Sequence, residues 1–163
     1  MTLYDIAIFS HYVGDASQPL HVSVHETGWG DHANPHGYTR EDICPYVSGT
    51  FVRDNLARAA VAARVAPYTP CNCSFWQRTR GLLAASLHEV EPLYVLDKEG
   101  AFAPGHPRGI AFTAARLAVG ATAVRDMLVD AWLDSAHVGV GDPMVPMSDI
   151  LSGKVRVTPE LFE

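Results

Sequence analysis

From Ile110 to Ala136, Leu117, Val124, Leu128 and Trp132 recur at helical spacing and define the apolar stripe of one long helix. Strand-like alternation is nearly absent elsewhere, and Pro/Gly clusters separate the periodic runs. This pattern predicts an all-α chain. The expected arrangement is a single domain over residues 1–163, about four helices joined by long Pro/Gly-rich loops. A first helix is expected over Thr2 to Gly14, with Leu3, Ile6, Ala7 and Tyr12 toward the core and Pro19 closing it. A long loop, HVSVHETGWGDHANPHGYT, follows. Thr39, with Asp42 three residues on, resembles a capping arrangement for a helix through Val65 that carries Ile43, Val47, Phe51 and Leu56. Ser74 is the expected N-cap of the next helix, which places Leu83, Leu87, Val90 and Tyr94 on one face. Pro92 is expected to kink that helix and Gly100 to end it. The tail after residue 141 reads as irregular, with a short turn at Ser148 to Leu151.

Apolar residues make up 48% and charged residues 18% of the 163, a globular composition with enough chain for a sizeable core. The formal charge of −6 gives no general attraction for nucleic-acid phosphates or anionic membranes. A bound dication would reverse that sign locally, so a phosphate-bearing substrate is not excluded. No apolar run approaches the ~20 residues of a membrane span. The opening MTLYDIAIFSHYVGD has neither a basic start nor a small-residue cleavage site, so no signal peptide is expected. Three cysteines, Cys44, Cys71 and Cys73, do not make a disulfide framework. Cys71 and Cys73 in TPCNCSF are too close for an easy mutual disulfide and read as loop positions.

The chemistry concentrates in HYVGDASQPLH, His11 to His21. Residues four apart on a helix share a face, so His11 and Asp15 can address one cation. Imidazole nitrogen and carboxylate oxygen both suit Zn²⁺ at roughly 2.0–2.2 Å. Asp15 has two oxygens and can bridge two ions, and a turn through Pro19 can swing His21 back toward it. Gly14 is expected to relieve crowding beside Asp15, Gln18 to hydrogen-bond a group behind the ligands, and Leu20 to anchor the turn. The plainer reading of His11 and Asp15 alone is a surface hydrogen-bonded pair. His25, Asp31, His32 and His36 follow in the loop as further candidate ligands or as surface display. Trp29 can stack on a base, line a pocket or anchor the loop. His88, His106 and His137 are scattered and read as structural or solvated.

HYVGDASQPLHVSVHETGWGD resembles the zinc-dependent phospholipase C and single-strand-specific nuclease family. EPLYVLDKEGAF, AARLAVGATAVRDMLVDAW and the tail are similar to its bacterial branch. The resemblance implies a mostly helical hydrolase of phosphate esters with clustered zinc ions, up to three in full members. It implies that His11 ligates one zinc, that Asp15 bridges that ion to another, and that His21 ligates the remaining one. Where the family has a His and, four residues on, an acidic ligand, this chain has Cys44 and Ser48. Cysteine binds zinc as thiolate, whereas serine is a poor substitute. The family draws other ligands from upstream segments. With Met1 ten residues before His11, an incomplete ligand set is expected, together with uncovered apolar surface and self-association. Relatives are typically exported. Two readings follow: a zinc-dependent phosphoesterase acting on a nucleotide, nucleic acid or phospholipid, or a non-catalytic helical binding domain.

Overall fold

The computed structural model describes residues 3–71, 73–135 and 137–162. Helix dominates, as expected, and the strands among the described residues are two residues each. The chain divides into two compact units, residues 1–125 and 126–163.

In the first unit, α1 spans Leu3–Asp15. Its apolar face is not the expected one. Leu3, Tyr4 and Tyr12 are 86%, 72% and 68% exposed, and Val13 is the buried residue. The run expected from Thr39 to Val65 is broken. Asp42, not Thr39, starts the turn, its Oδ1 accepting the Cys44 N–H at 3.0 Å. π-helical turns over Tyr46–Phe51 lead into α2, Val52–Asn55. Leu56 and Ala57 are then extended, and α3, Arg58–Ala62, begins afresh. Asn55 bridges this break, donating to the Phe51 carbonyl at 2.9 Å and accepting the Gly105 N–H at 2.6 Å.

α4, Phe75–Leu87, starts at Ser74 as expected, with a capping box in which Ser74 Oγ accepts from Gln77 N and Gln77 Oε1 from Ser74 N. Its core face is displaced: Leu82 and Ser86 are buried, whereas Leu83 and Leu87 are exposed. The chain then breaks at His88 and Glu89, and α5 spans Val90–Lys98. Pro92 therefore lies in the first turn of a new helix, where no N–H is needed, and does not kink a continuous one. Gly100, at φ +73°, ends α5, with the Ala101 N–H returning to the Leu96 carbonyl at 2.9 Å. Cys71 and Cys73 are joined as a disulfide, contrary to expectation, with their Cα atoms 5.1 Å apart, within the span a disulfide bridges.

α6 spans Pro107–Ser135 and continues into the second unit. The large-residue stripe expected to be buried is in part exposed, Leu117 at 39% and Trp132 at 78%. The buried positions of its first-unit part are small ones, Gly109, Thr113, Ala114, Ala118 and Gly120. A Cβ at Gly109 would sit 3.0 Å from Phe51 Cζ, so backbone approach, not a row of large side chains, sets this packing. Fully buried Phe51, Tyr94, Leu20 and Leu93 are the centre of the core. The second unit adds a hairpin of β1, Gly139–Val140, and β2, Val145–Pro146, then α7, Met147–Leu151. No described helix is long and apolar enough to cross a membrane.

Tyr94 ties the long loop to α5 by donating to the His25 carbonyl at 2.6 Å. Burial pushes its phenol up to about 12, and the negative charges of Asp97 and Asp42 add to the shift. An unfolded tyrosine ionises near ~10. The folded state therefore favours the protonated phenol, and that contribution is complete below pH ~10. It is lost as the pH rises from ~10 toward the folded value, at about 1.4 kcal/mol per unit. Urea midpoints are expected to fall across that window. Tyr94→Phe should flatten the decline, and a parallel decline in both proteins would show that the phenol is not its source.

Candidate metal centre

α1 carries His11 and Asp15 one turn apart and ends at Asp15. The Ser17 N–H donates to the Gly14 carbonyl at 3.0 Å and the Gln18 N–H to that of Asp15 at 2.9 Å, tightening the exit. Pro19 then directs the chain into a 3₁₀ turn, Leu20–Val22, with Pro19 and Leu20 fully buried. This anchored turn returns His21 to Asp15. His11 Nε2 lies 3.2 Å from Asp15 Oδ2, and His21 Nδ1 lies 3.2 Å from Asp15 Oδ1. Each carboxylate oxygen thus faces one imidazole, as the spacing predicts.

Gln18 stands behind this arrangement. Its Oε1 accepts the Leu20 N–H at 2.6 Å, and its Nε2 donates to Ser48 Oγ at 2.5 Å and faces Cys44 Sγ at 3.8 Å. Gly14 does not act as expected, since a Cβ there would meet nothing within 4 Å. The close approach is at Gly120 of α6, where a Cβ would lie 2.6 Å from Ser17 Oγ.

Cys44 and Ser48 are neighbours on one helical turn, Sγ 3.6 Å from Oγ, with Cys44 only 8% exposed. Burial pushes the Cys44 thiol up, and the negative charges of Glu26, Asp42 and Asp15 push the same way against the Ser48 hydrogen bond. A thiol among three carboxylates occupies a field that favours a cation. Among the described residues, one group of three metal-capable side chains has its ligand atoms within 4.8 Å of one another: His21, Glu26 and Cys44. Glu26 has no periodicity or motif to announce it. Its only sequence signal is its position in the His-rich loop, five residues after His21.

The other loop candidates are engaged elsewhere. His25 stacks on Trp29 at 4.0 Å, its Nδ1 3.3 Å from the Trp29 carbonyl, and His32 packs edge-on against His25. Asp31 pairs with Arg40, and His36 with Glu91. Trp29 meets Tyr94 edge to face and packs on Tyr38, so it anchors the loop.

A cavity of 420 Å³ opens beside Asp15, Gln18, His21 and Ser48. Val47, Leu93, Phe112 and Leu117 give it apolar walls, and Arg116 of α6 contributes the one Lys or Arg side chain in its lining. Arg116 donates from Nε to the Ser17 carbonyl at 2.9 Å and from Nη2 to Ser86 Oγ at 2.6 Å. Burial lowers its pKa, with Glu89 opposing the shift, yet a guanidinium remains charged at neutral pH. No motif or spacing in the sequence marks Arg116. Imidazole and carboxylate donors at this opening, with the Cys44 thiol 3.8 Å from Gln18 Nε2, fit the coordination chemistry of Zn²⁺. In comparisons with protein-family models, curated proteins and solved structures, nothing matches this chain.

Proposed function

We propose that the chain is a zinc-dependent phosphoesterase-like protein that hydrolyses phosphate esters of the nucleotide, nucleic-acid or phospholipid kind. The observation that carries this reading is the Asp15 carboxylate, with each oxygen 3.2 Å from an imidazole at the mouth of a cavity that holds a guanidinium. His11, Asp15, His21 and Cys44 are the residues that would hold zinc. Bound there, zinc supplies a Lewis acid for phosphoryl oxygens and lowers the pKa of water toward ~7. Arg116 supplies the positive charge that draws a phosphate into the cavity and offsets charge developing on its oxygens. Val47, Leu93 and Phe112 take the apolar part of the ester and exclude water from it. Gln18 holds the Ser48 side of the opening in place.

The test is purification without chelator, elemental analysis, and hydrolysis of a generic phosphodiester. Co-purifying zinc, with turnover abolished by chelator and restored by added zinc, is expected. A folded, metal-free, inactive chain would refute the reading. It would favour the second one, a non-catalytic helical interaction domain. That reading draws on Ser48 at the position of an expected carboxylate and on the exposed α1 side chains Leu3, Tyr4, Ile8 and Tyr12. It requires concentration-dependent self-association in sedimentation.

A further inference from the structure

We infer that Glu26 joins His21 and Cys44 in one cation site, selective for a thiolate-binding dication such as Zn²⁺, and supplies the carboxylate that Ser48 lacks. The site shares His21 and Cys44 with the proposed centre and adds Glu26 to them, and its metal binding does not depend on hydrolysis. Its three ligand atoms lie within 4.8 Å of one another. Tetrahedral zinc, with bonds of roughly 2.0–2.3 Å, sets its ligands roughly 3.3–3.8 Å apart. Closing that gap takes an inward shift of about 1 Å, within the reach of exposed, flexible His21 and Glu26 side chains.

The donors come from separate pieces of chain, which argues for a site and not a run of surface acids. His21 sits on the 3₁₀ turn fixed by buried Pro19 and Leu20, and Glu26 on the loop tied down by Tyr94. Cys44 heads the turn started by Asp42. The Glu26 carboxylate has no Lys or Arg partner among the described residues. Cys44 is buried while His21 and Glu26 are exposed, so an ion would have a walled side and a solvent side. Three protein ligands and one open position are the pattern of a catalytic zinc, not of a closed structural one. The thiolate disfavours Mg²⁺ and Ca²⁺, which take oxygen ligands. Binding replaces the Cys44 thiol proton by the metal and releases that proton to solvent.

Cobalt(II) is the probe, titrated into the full chain and followed in the near ultraviolet. A thiolate-to-cobalt charge-transfer band is expected, competed away by zinc and absent from Cys44→Ser. Glu26→Gln, an exposed substitution that leaves the fold intact, should weaken cobalt binding by at least ~10-fold. No band in the unmodified chain, or a Glu26→Gln titration identical to it, would overturn the inference. A cobalt band in a chain without phosphodiester turnover would sink the proposed function and leave this site standing. Turnover and zinc content unchanged in Glu26→Gln would do the reverse.

Discussion

Asp15→Asn is expected to abolish the proposed zinc-dependent phosphodiester turnover while leaving the urea midpoint almost unchanged. Asparagine keeps the shape of the side chain and removes its charge. In the folded chain Asp15 joins two imidazoles through contacts of 3.2 Å, and its side chain is 39% exposed. Exposed ion pairs of this kind contribute about 0–1 kcal/mol, and less where a histidine is neutral, so the fold has little to lose. A cation between His11 and His21 has much to lose, because a neutral amide is a weak ligand and cannot offset its charge. Removing even a supporting partner of a metal ligand lowers affinity about 10–100-fold, and removing a shared ligand should do at least that. Zinc content by elemental analysis and turnover at saturating zinc separate lost affinity from lost chemistry. If Asp15→Asn retained full zinc content and turnover, the carboxylate would be no more than the surface pairing partner that its spacing from His11 also allows.

The geometry of that carboxylate was legible because it is local. One helical turn separates His11 from Asp15, and a proline bend returns His21, so short-range rules suffice. The Ser74 capping box and the Gly100 terminus were legible for the same reason. What escaped the sequence depends on contacts between distant segments. The extended pair Leu56 and Ala57 contains neither Pro nor Gly, and the break sits beside Asn55, which holds Gly105 fifty residues away. The buried face of α6 departs from the stripe of large apolar side chains that its periodicity predicts. The helix instead packs through Gly109, Ala114, Ala118 and Gly120, with backbone brought close to Phe51 and Ser17. Glu26 and Arg116 carry no local signal for the same reason. A charged residue on a loop or a long helix reads as solvated until the fold sets it beside Cys44 or Ser17. At the candidate centre, the sequence indicates how His11, Asp15 and His21 come together on α1 and its exit turn, and packing determines what stands opposite them.

Phe51→Ala is expected to cost about 3–5 kcal/mol, the largest stability loss of any single truncation in the first unit. Phe51 is fully buried, meets the Phe102 ring edge to face at 5.3 Å, and closes the π-helical turns that begin two residues after Cys44. Its ring tip also fills the space over Gly109, where an added Cβ would lie only 3.0 Å away. Collapse cannot fill the resulting cavity easily, because the α6 backbone is already in close contact with Ala101 at that point. Domains of this size are stable by roughly 5–15 kcal/mol, so the loss takes a large share of the whole. Urea denaturation should show a much lower midpoint, whereas Phe51→Leu, which keeps most of the volume, should cost under about 1.5 kcal/mol. The loss should also reach the candidate metal centre. Cys44 and Ser48 lie about two turns and one turn before Phe51 on the same backbone, so loosening this anchor should weaken cobalt binding at Cys44 under conditions where the chain is still folded. A Phe51→Ala protein within about 1 kcal/mol of the unmodified chain would mean that this ring is not the wedge between the π-helical turns and α6, and that the ligand-bearing turn is held by something else.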